Sequence, residues 1–283
     1  MFSVGDIYKR LKEFKAKVGV TQQTFYFAKV DVQAAFDTIP QDAIVELMSR
    51  VPGQPKYKIV KHLEVSASHM PLGAASKDKP QKKWQSIAKA ASDEKPFAHM
   101  LETQFAPSKR NTVFVESVLS RSFDTRALVS LMASHIQQNL VKIGKKYYRQ
   151  NNGIPQGSVL SSVLCNYFYA DLEAKRLPFL RASDSLLMRL IDDFLLITTD
   201  KAKARRFVET MHRGVAEYGV AVNPIKSMVN FDLTVNNITI PRTTRGEAFP
   251  YCGTMIDCET LDIARSRNNA KDAGKSPVVE SSL

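Results

Sequence analysis

Two adjacent carboxylates between two short apolar runs constrain the fold of this chain more than any other feature. The runs are Leu186 to Ile191 and Phe194 to Thr198, and only Asp192 and Asp193 separate them. Apolar runs joined by two residues predict a tight β-hairpin that carries both carboxylates at its tip. Asp-Asp is a common turn, but neighbouring carboxylates repel each other and suit a buried turn poorly without cations between them. The pattern therefore indicates a functional turn.

A third carboxylate, Asp31, ends the run from Phe25, which is aromatic and β-branched and predicts a buried strand. If residues 51–150 are left out as an insertion, the remaining predicted elements follow the order β-α-β-β-α-β. This is the split βαβ arrangement of an α+β fold, in which helices back an antiparallel sheet. Its first strand ends beside the central hairpin, so Asp31 is predicted to lie near Asp192 and Asp193.

Three convergent carboxylates suit nucleotidyl transfer assisted by two metal ions. Forming a phosphodiester bond requires a nucleophilic 3′-hydroxyl and neutralisation of the charge on the triphosphate, and two Mg²⁺ ions about 4 Å apart can do both. Mg²⁺ prefers carboxylate oxygens. We therefore predict that Asp31, Asp192 and Asp193 hold two Mg²⁺ ions. An isolated Asp after a strand is usually a helix cap, so the prediction depends on the combination.

The charge balance is consistent with a polyanionic partner. The chain carries 40 Lys and Arg against 28 Asp and Glu, a net charge of +12, and basic side chains gain affinity by releasing counterions from phosphates. A basic but otherwise inert surface is the plain alternative. Three cysteines without C-x-x-C spacing argue against a disulfide framework or a zinc site. No apolar run has the length of a membrane span.

Local patterns predict several further elements. Helices are predicted for residues 7–18, from Pro40 to about residue 50, for residues 124–138, from Ser158 as cap to about residue 176, and for residues 201–218 with Gly219 as the C-terminal cap. Residues 141–149 predict a hairpin, and the lysine-rich residues 74–96 predict an exposed segment with one short helix.

Five blocks in a fixed order resemble the motifs of telomerase reverse transcriptases. They are residues 29–40 (KVDVQAAFDTIP, motif A), 153–161 (GIPQGSVLS, motif B′), 189–196 (RLIDDFLL, motif C), 223–231 (NPIKSMVNF, motif D) and 249–253 (FPYCG, motif E). Leu190 stands where viral and intron-type reverse transcriptases usually have an aromatic residue. Together with the Asp-Thr-Ile-Pro end of motif A, this favours the telomerase branch.

The resemblance implies roles for the acidic residues and for motif D. Asp31 and Asp192 are expected to bridge both metal ions, and Asp193 to complete the cluster less directly. Lys226 matches the lysine that protonates the departing pyrophosphate, a general-acid role. An exposed lysine after a strand is far more often inert, so this role rests on the resemblance.

Further substrate contacts are implied by the same motifs. Phe36 matches the ring that collides with a 2′-hydroxyl and so selects deoxynucleotides. Gln156 and Gly157 match positions that contact the incoming nucleotide and the templating base pair. Tyr251, Cys252 and Gly253 match the primer grip, where the family usually has Trp in the first position.

The resemblance also implies a domain organisation, with partners and a location. We expect a linking helix at residues 1–24, palm segments at 25–50 and 151–260, a mostly helical fingers insertion at 51–150 and a disordered tail at 261–283. The implied partners are a telomerase RNA, a single-stranded telomeric DNA primer and dNTPs, in the nucleus at chromosome ends, with no membrane. We expect the chain to be a partial palm that extends a primer poorly on its own.

Two other functions remain open at this point. A reverse transcriptase of the intron or retroelement type would use the same carboxylates, although Leu190 and the lack of endonuclease or maturase sequence count against it. A non-catalytic nucleic-acid-binding fragment would need only the basic charge. The intact set of Asp31, Asp192 and Asp193 argues against such a loss of activity.

Overall fold

The computed structural model describes residues 4–19, 24–66, 80–93, 95–244 and 246–265. The chain divides into two compact units, one of residues 1–44 with 139–283 and one of residues 45–138. The second unit is thus shorter than the predicted insertion of residues 51–150. No helix within the described ranges is long and apolar enough to cross a membrane.

Helices and strands are interspersed along the described chain. The helices are α1 (Val4–Val18), α2 (Ala35–Thr38), α3 (Gln41–Ser49), α4 (Phe97–Met100), α5 (Thr125–Gln137), α6 (Ser161–Arg176) and α7 (Lys201–His212). The strands are β1 (Tyr26–Asp31), β2 (Lys56–Ser66), β3 (Gln81–Ala90), β4 (Thr112–Asp124), β5 (Leu140–Ile143), β6 (Lys146–Arg149), β7 (Ser185–Leu190), β8 (Asp193–Thr198), β9 (Met228–Val229), β10 (Thr234–Val235), β11 (Ile238–Thr239), β12 (Phe249–Tyr251), β13 (Thr254–Ile256) and β14 (Ile263–Arg265).

A four-stranded antiparallel sheet in the order β7-β8-β1-β9 forms the centre of the first unit. Strand β1 pairs with β8 from Tyr26 opposite Thr198 to Asp31 opposite Asp193. Strands β7 and β8 form the predicted hairpin around Asp192. The α+β fold class and the antiparallel palm sheet are therefore confirmed.

Side chains on both faces of this sheet are buried. On one face, α1 places Ile7, Leu11 and Phe14 in a cluster with sheet residues and with the β12–β13 hairpin. The i, i+4, i+7 spacing of these residues on α1 is the apolar stripe of an amphipathic helix. On the other face, Tyr169 of α6 contacts the Phe194 ring edge-on, with the centroids 5.8 Å apart.

The second unit contains a three-stranded sheet in the order β3-β2-β4. Its buried His62 stacks on the Phe105 ring, with the centroids 4.8 Å apart, and Glu64 accepts from the Lys109 ammonium. The Lys109 hydrogen bond holds the pKa of Glu64 below its usual value.

Because this unit contains the β3-β2-β4 sheet, the prediction of a mostly helical insertion is wrong for this part of the chain.

The helix predicted within residues 74–96 is replaced, in the described part, by strand β3. Strand β2 pairs with β3 over ten consecutive positions, from Tyr57 opposite Ala90 to Ser66 opposite Gln81. These backbone bonds to a distant segment override the weak local preference of a lysine- and serine-rich sequence. Residues 67–79 and Glu94 lie outside the described residues.

Three element boundaries also differ from the predictions. Helix α6 begins at Ser161 with Leu160 as its N-cap, so Ser158 is not the cap that was predicted; the Ser158 hydroxyl accepts from the backbone N–H of Leu160. Helix α7 ends at His212 because Gly214 takes a φ of 77°, and residues 216–218 form a separate 3₁₀ turn that Gly219 closes. The predicted tail begins with ordered chain, because β14 pairs with β13; residues 266–283 lie outside the described part.

Candidate active site

The three predicted carboxylates meet at one corner of the central sheet. Asp31, the last residue of β1, is paired directly with Asp193, the first residue of β8. The backbone N–H of Val32 donates to the Asp192 carbonyl over 3.1 Å. Directly opposed residues of antiparallel strands carry their side chains on the same face, with Cβ atoms about 5 Å apart. The structure thus brings Asp31 together with the hairpin tip.

The electrostatic environment of this corner disfavours two of its negative charges. Burial raises the pKa of Asp192, and the Asp31 charge adds to that effect. Burial also raises the pKa of Asp193, with the Asp192 and Asp31 charges acting in the same direction and Lys29 opposing them. Carboxylates that repel one another in a partly buried site gain stability from a cation placed between them.

Lys226 is a cation that directly contacts a carboxylate of this corner. Its ammonium Nζ lies 3.1 Å from Oδ2 of Asp31, and its side chain is otherwise mostly exposed. The hydrogen bond to Asp31 raises the pKa of Lys226 above its ordinary value, so the ammonium keeps its proton at neutral pH. The 3₁₀ turn of residues 224–226, capped by Asn223, holds this lysine beside the end of β1.

The loop of the motif B′ block is bonded to the segment that carries Phe36. The N–H of Ile154 donates to the Phe36 carbonyl over 2.7 Å, and Nε2 of Gln156 donates to Oδ1 of Asp37 over 2.9 Å. Gly153 has a φ of 75°, and a Cβ there would lie 2.4 Å from the Phe36 carbonyl oxygen. Only glycine permits this close approach of two backbones. Phe36 and Gln156 are therefore neighbours.

Gly157 takes a φ of 78°, and no described atom lies within 4 Å of a Cβ built there. The positive φ explains the glycine by backbone conformation alone. The space in front of Gly157 is open, so a bound molecule can approach its backbone.

The β12–β13 turn lies beside the hairpin tip. The Tyr251 hydroxyl donates to the Asp193 carbonyl over 3.2 Å. Cys252 and Gly253 both have positive φ, which makes the turn tight. Burial raises the pKa of the Cys252 thiol to about 11, so it stays protonated at neutral pH. The turn of the three predicted primer-grip residues is thus connected to the acidic corner by the hydrogen bond of Tyr251.

Arg189 is a residue of this site to which the sequence assigned no role. Its Nε donates to Oε1 of Glu173 over 2.5 Å. Its Nη1 donates to the Asn166 side chain and to the Ile191 carbonyl, and its Nη2 to the Asn166 carbonyl, over 2.9, 3.1 and 3.1 Å. Ile191 has a φ of 59°, which is rare for a β-branched residue. The guanidinium therefore stabilises the unfavourable backbone conformation of Ile191, the residue immediately before Asp192.

Two aromatic rings enclose the same guanidinium. Its central carbon lies 5.6 Å from the ring centroid of Tyr169 and 5.6 Å from that of Phe194. Arginine stacks on aromatic faces and donates in a rigid fork, which lysine does not. The signal in the sequence was a single charge among the apolar residues of β7, three residues before Asp192.

Comparison with known proteins supports the resemblance to reverse transcriptases and the candidate active site at the three carboxylates. The family model described as "Reverse transcriptase (RNA-dependent DNA polymerase)" matches residues 85–245, which is 161 of the 283 positions. The chain belongs to the reverse transcriptase family. The matched range covers the motif B′, C and D blocks, whereas Asp31 lies before it.

Curated relatives of this reverse transcriptase are telomerase reverse transcriptases. The chain is 34% identical over 245 residues to the one from Bos taurus, covering 84% of this chain and 21% of the relative. It is 31% identical over 281 residues to the one from Mus musculus, covering 93% and 24%. The resemblance stated above is confirmed. The chain spans about a quarter of the length of such relatives.

A solved structure shares the fold. Apo telomerase from Candida tropicalis superposes with a TM-score of 0.62 at 21% identity, covering 94% of this chain and 36% of that one. A telomerase from the same organism, in complex with what is described as a "TWJ fragment of telomeric RNA", gives a TM-score of 0.60 at 20% identity, covering 94% and 33%.

The chemistry of the three carboxylates, Asp31, Asp192 and Asp193, suits the binding of divalent cations. Within the described residues, no three His, Cys, Asp or Glu side chains are arranged so as to hold one metal ion. Asp31 instead accepts the Lys226 ammonium. The three carboxylates nonetheless lie at one corner, where burial, with their mutual repulsion adding to it, raises the pKa values of Asp192 and Asp193. Carboxylate oxygens are the donor set that Mg²⁺ prefers.

Proposed function

We propose that this chain is the palm of a telomerase reverse transcriptase, which adds dNTPs to the 3′ end of telomeric DNA on an RNA template. The observation that carries the proposal is the pairing of Asp31 with Asp193, with Asp192 at the tip of the same hairpin. The relatives' name supports the choice of telomeric DNA. The related structure with a telomeric RNA fragment supports an RNA partner. A nuclear location at chromosome ends follows from the same proposal.

The acidic corner would hold two Mg²⁺ ions through Asp31, Asp192 and Asp193. When bound, such ions make the primer 3′-hydroxyl nucleophilic and neutralise charge on the triphosphate. Arg189 donates to the Ile191 carbonyl and so fixes the backbone immediately before Asp192. Preorganised charged groups lower the barrier because they need no reorganisation during the reaction.

Lys226 acts as general acid at the departing pyrophosphate. A lysine ammonium carries its proton at neutral pH, and that proton passes to a pyrophosphate oxygen as the bond to the α-phosphorus breaks. In the free chain the ammonium rests on Asp31. With Asp31 engaged in holding a cation, Lys226 would lose this partner, and its ammonium could turn to the triphosphate.

Three further groups position the substrates. Phe36 lies beside the motif B′ loop, and its ring excludes a 2′-hydroxyl from the nucleotide sugar. Gln156, held by Asp37, and Gly157, with open space before it, face the nucleotide and the templating base. The turn of Tyr251, Cys252 and Gly253 supports the primer end next to Asp193.

A primer-extension assay tests the proposal. The chain is incubated with Mg²⁺, dNTPs, telomeric DNA and the telomerase RNA, with and without a telomerase RNA-binding region added separately, because we expect weak extension by the chain alone. Asp192→Asn preserves the side-chain volume but removes a carboxylate, so extension should be lost. Asp232→Asn is the matched control, because that carboxylate is exposed and pairs only with Arg242 among the described side chains.

Equal extension by the Asp192→Asn variant and the unaltered chain would refute the catalytic proposal. Replacing the telomerase RNA by an unrelated RNA template tests the retroelement alternative. Equal extension on both templates would favour that alternative.

A further inference from the structure

The 3₁₀ turn that carries Lys226 lies at the surface of the first unit. None of residues 224–226 is buried, and Ile225 is 85% exposed. The turn begins beside the sheet, where the N–H of Asn223 donates to the Asp31 carbonyl over 3.3 Å. Since the turn itself buries no side chain, its conformation depends on hydrogen bonds more than on packing.

One carbonyl closes this turn. The Asn223 carbonyl accepts from the N–H groups of Lys226 and Ser227, each over 3.2 Å, and from the Ser227 hydroxyl over 3.2 Å. A carbonyl oxygen has two lone pairs, so three donors share it, and each bond is at the long end of the usual range. The backbone bonds alone therefore hold the turn weakly, and the contacts of the Ser227 side chain become important.

His212, the last residue of α7, contacts this side chain. Its Nε2 lies 3.0 Å from Oγ of Ser227, and Ser227 is only 1% exposed. Burial lowers the pKa of His212, so the ring is neutral at neutral pH and one of its two nitrogens carries a hydrogen. The Ser227 hydroxyl has a single proton, which it donates to the Asn223 carbonyl. Both contacts are therefore satisfied together only when Nε2 of His212 carries the hydrogen and donates to Ser227.

Helix α7 gives His212 a fixed position. Four residues of this helix are completely buried, namely Ala204, Phe207, Val208 and Met211, and the last of them directly precedes His212. A side chain on a well-packed helix is held more precisely than one on a loop. The hydrogen bonds from His212 through Ser227 to the Asn223 carbonyl thus connect the exposed turn to a rigid element.

We propose that His212 is a positioning residue that holds, through Ser227, the turn of residues 224–226 with the Lys226 ammonium beside Asp31. This inference rests on the proposed function, in which Lys226 donates a proton at the active site. Proton transfer needs its two groups at hydrogen-bond distance, and a displacement of about 1 Å can reduce a rate about a hundredfold. Loss of the His212 donor lets the turn open more often and moves Lys226 away from the acidic corner.

Hydrogen exchange followed by mass spectrometry tests the positioning on the complete chain, without Mg²⁺, nucleic acid or dNTPs. His212→Leu keeps an apolar side chain at the end of α7 but removes the donor. Peptides that contain the N–H groups of Lys226 and Ser227 should exchange about fivefold faster, which corresponds to one lost hydrogen bond of ordinary strength. Peptides from β8 should exchange as in the unaltered chain.

Two substitutions of histidine serve as controls for this measurement. His212→Gln should restore slow exchange of the turn, because its amide nitrogen can donate from nearly the position of Nε2. His99→Leu is the matched control, because His99 of α4 is exposed. It should leave the exchange of the turn unchanged.

Ser227→Ala removes the same link from its other side and so tests the proposal independently of how well His212→Leu folds. It should accelerate the exchange of the turn. The double variant His212→Leu/Ser227→Ala should exchange no faster than Ser227→Ala alone, because the two side chains act as one unit.

Single-nucleotide addition in the primer-extension assay, with the RNA-binding region supplied, tests the consequence for catalysis. His212→Leu should lower kcat about fivefold at nearly unchanged KM for the dNTP, because Lys226 acts in the transition state, and His212→Gln should recover it. In the Lys226→Ala background, His212→Leu should have no further effect on kcat. A merely structural role of His212 would lower kcat in both backgrounds.

Three results would overturn the inference. They are unchanged exchange of the turn in His212→Leu, equally accelerated exchange in β8, which would indicate general destabilisation, and a loss of kcat that persists in the Lys226→Ala background. Full kcat of Lys226→Ala would refute only the general-acid role in the proposed function, and the exchange of the turn would then decide the positioning by itself. Failure of the proposed function is thus distinguishable from failure of this inference.

Discussion

Replacing Arg189 should destabilise the palm and disable its acidic corner at the same time. The Arg189 side chain is only 10% exposed and the Glu173 side chain only 28%, so the pair is largely removed from water. Arg189→Met keeps an unbranched apolar chain between the rings of Tyr169 and Phe194 but removes every donor. Arg189→Lys keeps one charge but loses the planar fork that reaches Asn166 and Ile191.

The expected loss of stability follows from the groups left without a partner. Removing one member of a buried ion pair costs about 3 to 5 kcal/mol, because the other charge remains uncompensated. The partial exposure of Glu173 places this case near the lower limit. The carbonyls of Asn166 and Ile191 also lose donors, at about 1 to 3 kcal/mol for each fully buried group, and these costs are not additive. We expect about 3 kcal/mol for Arg189→Met and a smaller loss for Arg189→Lys.

Urea denaturation followed by circular dichroism measures this loss as a lower midpoint at unchanged slope. Arg205→Met is the control, because its ion pair with Glu209 lies on the surface of α7 and should contribute less than about 1 kcal/mol. In primer extension, Arg189→Lys should lower kcat more than it raises KM, because Asp192 is displaced. Equal midpoints for Arg189→Met and Arg205→Met would refute the reasoning.

Three further predictions concern other contacts of the palm. Gly153→Ala should lower the free energy of unfolding by about 2 kcal/mol or more, because the new Cβ meets the Phe36 carbonyl at a positive φ; a thermal melt equal to that of the unaltered protein would contradict it. Phe36→Ala should reduce the preference for dNTPs over rNTPs roughly tenfold or more, as measured by the ratio of kcat/KM values; an unchanged ratio would remove the ring from sugar selection. The Lys203 hydrogen bond lowers the pKa of Asp184. The contact between the two side chains therefore stabilises the folded state above about pH 4, by about 1 kcal/mol or less at this exposure. This stabilisation is lost as the pH falls through the lowered pKa of Asp184 in the folded state. Asp184→Asn should therefore reduce the stability more at pH 7 than at about pH 2, and urea midpoints at both values decide it.

Much of the central sheet was predictable from local pattern. The apolar runs on either side of Asp192 and Asp193 predict a hairpin because a two-residue connection leaves the chain few alternatives. The stripe of Ile7, Leu11 and Phe14 predicts a helix with one buried face, as observed. Such patterns depend on neighbours within a few residues, and this information is present in the sequence itself.

The secondary structure predicted from the sequence was wrong where contacts with distant segments or single backbone angles decided which element forms. The segment from Gln81 to Ala90 has a weak local preference and becomes a strand only because β2 pairs with it. Helix α7 stops at His212, since Gly214 adopts a positive φ that the apolar spacing does not reveal. The predicted cap at Gly219 closes a shorter 3₁₀ turn instead.

The sequence by itself determined the three carboxylates, their order along the chain and the type of sheet that brings them together. It did so because strand alternation and turn chemistry are local properties, and the motif spacing is read directly. The tertiary structure alone decided that Lys226 rests on Asp31 and that the Arg189 fork braces Ile191. These contacts join groups whose positions depend on the register of the sheet and on packing across the whole unit, which no local pattern encodes.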